Sequence, residues 1–459
     1  NCGRIDDLCE LVPAVRAGCV EAGLCASAEL VDQLVPSASP VQLRVAKGFG
    51  SRPYGSLRVS AITYRKDTPS PIEWDYSARF VHKWTQFHLS SSVVSVAPGR
   101  RDEKFDLGNG LEATLWLPAQ GAGVAGVLIA DPCIEGGSVT GLVGCWFAHA
   151  FKTSERTVPM LNAFMKHNDT DYWGVLGDNW YDRTGELTRK IFSQFELSTL
   201  QKIMVTVPGN HDYWILAEPK LSTRLDQFGN GFHQYYAQDT MAACHLPPGS
   251  HEPPFNLTIS PTREESLTGG HLPDISNSLF YHQIGNVGLV GWSGAYSASA
   301  LLHEDGPMAE ACAWLPKQTG LSVGLLVGHW DKANCGATNE TDVPGMYELV
   351  RGLPGCRELD AKGRLKYLQG HTHCNVPHPH GHNGTGFMVA GQGMEGCGNY
   401  GFPVFDTTEG RVRVWYFPVA AVAPQQETFD HFDQVHACVQ EHGWRQCTHL
   451  AEVWLDEPL

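Results

Sequence analysis

The chain has 459 residues, 42% hydrophobic and 18% charged, which is ample for a large buried core and longer than one domain ordinarily runs. Lys and Arg number 33 against 49 Asp and Glu, and the resulting net charge of −16 argues against nucleic acid or an anionic membrane as the main partner, because phosphate-rich surfaces call for basic patches. No run reaches the roughly 18 to 20 apolar residues that a transmembrane helix needs, so no transmembrane segment is expected. Small anionic substrates stay open, since bound cations invert the local field.

Residues 1–40 hold Cys2, Cys9, Cys19 and Cys25 and two stretches of amphipathic helical spacing, Ile5 to Val12 and Ala28 to Val35. They predict a cysteine-rich helical extension clamped by disulfides. The chain opens with neither Met nor a basic stretch leading into an apolar one, so a secretory signal is expected to have been removed or never present. Residues 41–120 change to alternation at Leu57, Val59 and Ala61, then Phe80 to Val96, then Leu111 to Leu117, broken by turn clusters such as Pro98-Gly99-Arg100-Arg101. This texture predicts a small β-rich, sandwich-like domain. Residues 121–420 alternate strand-like runs with helical stretches, predicted over Pro159 to Lys166, Gly185 to Ser198 and Ala309 to Pro316, as a layered α/β domain does. Residues 421–459, with a helix predicted from Phe429 to Val439 beside Cys438 and Cys447, read as a disulfide-stapled tail.

Cysteines set the compartment. There are 14, an even number, and no C-x-x-C pair, which favours disulfides over structural zinc. N-x-S/T sequons at Asn168, Asn256, Asn339 and Asn383 fall in loop-like stretches and predict glycosylation. An extracellular or secretory-pathway lumenal protein is expected, with room for extracellular protein partners on the N-terminal segments.

Five apolar runs end in hard oxygen or imidazole donors. Val124 to Ala130 ends at Asp131, and Trp173 to Leu176 opens into Gly177-Asp178-Asn179-Trp180-Tyr181-Asp182. Ile203 to Val207 leads to Pro208-Gly209-Asn210-His211-Asp212, Val323 to Val327 to Gly328-His329, and Leu365 to Leu368 to Gly370-His371-Thr372-His373. Carboxyl ends of strands are where open α/β sheets build their sites, so one sheet edge is expected to gather these donors around metal ions. A lone strand-end Asp is ordinarily a cap and a lone buried His a satisfied core residue. Caps have no reason to produce G-N-H-D and G-H-T-H in this order. A later cluster, His378-Pro379-His380-Gly381-His382, is read as a solvated loop with an extra metal site or a substrate contact as the alternative.

The set resembles the calcineurin-like metallophosphoesterases, whose motifs run D-x-H or D-x-G, G-D, G-N-H-D/E, an isolated His and G-H-x-H, over roughly residues 124 to 418. The resemblance implies a layered β-sandwich flanked by helices and a two-ion centre. Asp131 and His373 would then serve one ion, Asn210, His329 and His371 the other, with Asp178 bridging both and His211 beside the substrate as proton donor to the leaving group. Asp182 and Asp212 are both open as the acidic neighbour of His211. Where many members have His, this chain has Cys133, and Tyr181 stands three residues after Asp178, as in the purple acid phosphatase branch whose phenolate holds a ferric ion. Either Tyr181 or Cys133 could be the ligand; with Tyr181, Cys133 is free for a disulfide, Cys145 being one candidate. The resemblance implies Fe(III) with Fe(II), Zn(II) or Mn(II), and hydrolysis of a small phosphorylated substrate, a phosphate monoester, by a metal-bound hydroxide. The alternatives are a phosphodiesterase on nucleotides or phospholipid headgroups, and a structural component of an extracellular assembly that has lost turnover.

Overall fold

The computed structural model describes residues 42–63, 74, 76–79, 88–101, 104–106, 112–134, 148–182, 185–212, 229–236, 238–244, 275–303, 306–331, 342–377, 379–394, 396–425 and 427–459. The expected N-terminal extension, residues 1–40, and the run from Phe80 to Phe87 lie outside them. The strands are β1 (Gln42–Lys47), β2 (Ser56–Thr63), β3 (Tyr76–Arg79), β4 (His88–Ser95), β5 (Lys104–Asp106), β6 (Glu112–Thr114), β7 (Ala125–Ile129), β8 (Tyr172–Leu176) and β9 (Ile203–Val207). They continue as β10 (Phe280–Ile284), β11 (Val287–Gly291), β12 (Val323–Gly328), β13 (Leu365–Gln369), β14 (Asn375–Pro377), β15 (Gly386–Val389), β16 (Asn399–Asp406), β17 (Arg411–Ala421), β18 (Phe429–Asp430) and β19 (Glu452–Pro458).

Two sheets carry the architecture. An 11-stranded sheet runs β18-β17-β16-β7-β8-β9-β1-β2-β4-β3 with β19 on β17, and a six-stranded sheet runs β10-β11-β12-β13-β15-β14. β7, β8 and β9 pair in parallel, as do β11, β12 and β13. Every residue of β7, β8, β9, β12 and β13 is buried, the pattern of strands covered on both faces, which is why β7, β8 and β12 read as unbroken apolar runs, while β9 carries Thr206 and β13 carries Lys366 and Gln369. The expected α/β class with layered sheets and flanking helices is the one observed.

Several expectations need correction. The strands of residues 42–95 do not make a separate sandwich: β1 pairs in parallel with β9 at Val45 and Ile203, and β2, β4 and β3 extend the same sheet. Only β5 and β6 stand apart, as a two-stranded ribbon. Residues 42–459 form one compact unit. A buried carboxylate, Asp239, braces β2 and the loop that precedes it, accepting the Phe49 N–H (2.7 Å), Arg52 Nε–H (2.7 Å) and Arg58 Nη2–H (2.7 Å).

Helix α1 (Thr153–Lys166) starts six residues before the predicted Pro159, which sits inside it. The hydrogen bond that proline omits is offset by the burial of Val158, Met160, Leu161, Phe164 and Met165. The helix predicted over Gly185 to Ser198 stops as α2 (Glu186–Phe192), and a short turn follows at Leu197–Leu200. Asn162 of α1 accounts for the restart, its Oδ1 accepting both the Glu196 N–H (3.1 Å) and Thr199 Oγ1–H (2.8 Å). Ala309 to Pro316 appears as α3 (Pro307–Trp314) and a 3-10 turn. In the stapled tail the helix predicted from Phe429 to Val439 starts later, as α4 (Phe432–His442), which buries Val435 and Val439, because Phe429 and Asp430 form β18, and β18 and β19 both pair with β17. Its Cys438–Cys447 bridge forms as expected, alongside Cys312–Cys356 and Cys374–Cys397.

Candidate metal centre

Each predicted donor follows the carboxyl end of a parallel strand, and the two sheets bring those ends together. Asp131 follows β7, Asp178 follows β8, Asn210 and His211 follow β9, His329 follows β12, and His371 and His373 follow β13. The Asp131 N–H donates to the Gly177 carbonyl (3.1 Å) and the Gly370 N–H to the Gly328 carbonyl (3.2 Å), so neighbouring strand ends are tied within each sheet. The Ala130 N–H donates to the Val389 carbonyl (2.9 Å) and ties one sheet to the other.

Strand termination is abrupt. Of eight non-glycine residues with left-handed φ among those described, six lie here: Asp131, Asp178, Trp180, Tyr181, His371 and His373. Each costs about 1–3 kcal/mol and persists only where its surroundings over-determine it, a pattern that clusters at functional sites. Glycines supply the room. A Cβ on Gly177 would fall 2.4 Å from His329 Nδ1, and one on Gly370 would fall 2.6 Å from the same atom.

Side chains form two linked groups. In the first, Tyr181 donates its hydroxyl to Asp131 Oδ1 (3.0 Å) and stands 3.2 Å from His373 Nε2, which is itself 3.5 Å from Asp131 Oδ1. In the second, His329 Nε2 and His371 Nδ1 both face Asn210 Oδ1 at 3.0 Å and lie 3.2 Å apart, while Asp178 Oδ1 is 3.3 Å from His329 Nε2. Asp131 Oδ2 accepts the His371 N–H (2.7 Å) and so joins the groups. His329 Nδ1 donates to the Leu176 carbonyl (2.9 Å), which turns Nε2 inward, the outer hydrogen bond that orients imidazole ligands in metalloproteins.

The donor set fits cations on two counts. Asp178 Oδ2 is buried and takes no hydrogen bond, and one ligand atom from each of Asp178, His329 and His371 lies within 4.8 Å of the others. Charge is concentrated in the same place. Burial alone would lift the Asp178 carboxyl, yet His329 and His211 hold it well below the usual range. Burial, with Asp178 nearby, raises Asp131 despite the opposing pull of His329. Burial disfavours charge on His329, but Asp178 and Asp131 overcome it and push the imidazole up to about 10, whereas burial and His329 drive His371 down to about 3. The Tyr181 phenol is pushed well above its ordinary range by burial and by Asp131 and Asp178.

The remaining residues sort differently. The His211 ring lies beside that of Tyr181, centroids 5.2 Å apart, and the His211 backbone N–H donates to Asp178 Oδ1 (2.8 Å). Asp212 braces two loops, accepting the Asn179 N–H and Nδ2–H (2.9 Å each) and the Gly209 N–H (2.6 Å). Asp182 accepts the Gly185 N–H (3.1 Å) and both the N–H and hydroxyl of Thr188 (2.6 Å each) at the start of α2. Cys133 is disulfide-bonded and packs with Tyr181 and Met394, so it offers no thiolate, and the Cys133 ligand alternative is withdrawn. His382 takes up Tyr367 Oη (2.8 Å) and Glu348 (3.0 Å), while His378 and the His380 side chain lie outside the described residues. Asn168 and Asn383 are exposed or half-buried; Asn256 and Asn339 lie outside the described residues. Cys374 went unremarked in the sequence although it directly follows His373, and that adjacency was the available signal.

No family model matches the chain, and no curated protein matches it. Among solved structures it is similar to a purple acid phosphatase from yellow lupin (Lupinus luteus) seeds, at 12% identity over 85% of this chain and 73% of that one, with a TM-score of 0.49. It is also similar to PhoD, at 11% identity over 86% and 90% with a TM-score of 0.43. A dimetal phosphatase from Danio rerio matches at 11% identity over 63% and 95%, with a TM-score of 0.33. Likeness at this level assigns no activity, which has to be argued from the side chains of this chain.

Proposed function

We propose that the chain is a dimetal phosphoesterase that hydrolyses phosphate monoesters in an extracellular or lumenal compartment. One observation carries the reading: seven donors from five strand ends meet in a partly buried cluster in which the buried carboxylate Asp178 leaves an oxygen without a partner. Asp131, Tyr181 and His373 would hold one cation, Asn210, His329 and His371 the other, with Asp178 between them. A hard phenolate beside a carboxylate suits Fe(III), and the amide and two imidazoles suit Fe(II), Zn(II) or Mn(II). Two such cations would supply charge to draw the phosphoryl oxygens in and to make a water nucleophilic near neutral pH.

The chain does the rest. Asp178 Oδ1, by accepting the His211 N–H, holds the His211 loop at the rim. His211, half-buried where the imidazole at the β12 end is fully buried, can reach a bound ester and deliver a ring proton to the departing alkoxide oxygen while water oxygen bonds to phosphorus. Asp212, by tying Asn179 to Gly209, keeps the loops carrying Asp178 and Asn210 in register. Three disulfides and the bonded Cys133 support an oxidising compartment, and among the described residues no helix is long and apolar enough to cross a membrane.

The test is elemental analysis of the purified chain with hydrolysis of an aryl phosphate and of a bis-aryl phosphate. Two metals per chain and preferential monoester turnover, both lost in Asp178→Asn, are expected. Preferential diester turnover would replace the substrate class, and metals without turnover of either ester would leave a scaffold instead of an enzyme.

A further inference from the structure

We propose that the Cys374–Cys397 disulfide is the positioning element of His373, and through it of the half-site formed with Asp131 and Tyr181; this rests on the dimetal reading. The two histidines of the G-H-T-H motif are held by different means. His371 is anchored within the fold, its N–H on Asp131 Oδ2 (2.7 Å) and the preceding Gly370 N–H on the Gly328 carbonyl (3.2 Å). His373 lies farther out, four residues past β13, with 26% of its side chain exposed and a backbone φ of 54° that needs outside support.

That support comes from the 396–397 loop. The Cys397 N–H donates to the His373 carbonyl (3.3 Å), and the next residue, Cys374, is bonded covalently to Cys397. Gly396 closes over the same peptide: a Cβ there would fall 2.3 Å from the His373 carbonyl oxygen and 2.7 Å from its Cβ. Beyond the bridge the Cys374 carbonyl accepts the Ala390 N–H (3.0 Å), Asn375 exchanges hydrogen bonds with Asn399 (3.0 and 2.7 Å) and Gly391 (3.1 and 3.3 Å), and the three-residue strand β14 pairs with β15. Those contacts hold Asn375 and the Cys374 carbonyl, whereas the 396–397 loop is what meets the His373 peptide itself. The bridge converts a terminal, half-exposed turn into a closed loop that keeps His373 Nε2 beside Tyr181 and Asp131.

The experiment compares two bridge deletions. Cys374→Ala/Cys397→Ala is expected to drop from two metals per chain to one and to weaken binding of the second equivalent by about 10- to 100-fold, as outer supports of metal ligands do. Cys312→Ala/Cys356→Ala, whose bridge spans 44 residues against 23, is expected to lose more thermal stability by the chain-entropy argument yet keep both metals. Gly396→Ala, with the disulfide intact, should show the same selective loss and covers the case in which the first variant does not fold. Retention of both metals at unchanged affinity in Gly396→Ala and in a folded Cys374→Ala/Cys397→Ala overturns the proposal while leaving the dimetal reading intact, as does metal loss that merely tracks stability in both bridge deletions. An intact chain that binds no metal overturns the dimetal reading itself, and this proposal with it.

Discussion

Gly209→Ala is the substitution on which the geometry of the centre bears most directly. The added methyl would fall 2.2 Å from Asp178 Oδ1 and 2.3 Å from the Asp178 backbone nitrogen, where ordinary contact begins at 3.4 Å, so one side must retreat by more than an ångström. Retreat is obstructed on both sides. Asp178 Oδ1 already accepts the His211 N–H (2.8 Å), and the Gly209 N–H is held by Asp212 (2.6 Å), which also grips Asn179. Forcing a methylene-sized group into such packing costs about 1–3 kcal/mol. A displacement of roughly 1 Å at the groups that position substrate costs on the order of 10²-fold in rate. Urea unfolding, metal content and aryl phosphate turnover measure the three effects, with Gly352→Ala, whose Cβ meets only the Leu349 carbonyl at 3.5 Å, as the control. If Gly209→Ala unfolds at the same urea concentration as the control and keeps metal and turnover, the close approach of the two loops is not what shapes the site.

Other parts of the molecule lead to three more expected outcomes. Tyr181→Phe removes the hydroxyl between Asp131 and His373 and should abolish a phenolate-to-iron absorption band in the iron-loaded protein; a band that persists unchanged shows that Tyr181 is not a ligand. Asp239→Asn leaves the buried Arg58, and Arg52 with 25% of its side chain exposed, opposite a neutral amide and should cost about 3–5 kcal/mol in urea unfolding, whereas a loss under about 1 kcal/mol would mean that β2 and the loop before it do not depend on Asp239. His282, fully buried and stacked on Phe280, has its imidazole pushed down to about 3 by burial and by Lys47. Its unfolded form binds a proton that the folded form refuses, so its contribution is fully present above about pH 6.5 and is lost as the pH falls toward 3. His282→Phe should therefore flatten the acid limb of stability against pH, and an unchanged slope would remove His282 as its source.

The site was legible in the sequence to a degree that the domain plan was not, and the physics explains the difference. Buried parallel strands make apolar runs nearly continuous, so a polar residue at their end stands out without any knowledge of the fold: directly after the run at Asp131, after a glycine at Asp178 and His329, and after Gln369-Gly370 at His371. Whether β1 joins β9 or closes a sheet of its own is decided by a partner strand more than 150 residues further on, with Val45 opposite Ile203, and no local pattern announces that pairing. Helix ends fell between these cases. Pro159 resembles a helix start because a proline tolerates the first turn, and only the buried face of α1 extends the helix in front of it. Asn162 interrupts the next helical stretch from a different helix, which a reading of residues 185–198 alone cannot anticipate.

The pairing of β1 with β9 bears on how the molecule can be dissected. A truncation starting at residue 121, chosen to isolate the motif-bearing part, would strip the neighbour from β9 and uncover Ile203–Val207, an apolar strand lying just before Gly209-Asn210-His211-Asp212. An uncovered edge of that kind recruits other chains, so the shortened protein is expected to aggregate, and a negative assay on it would speak to the missing neighbour and not to the chemistry.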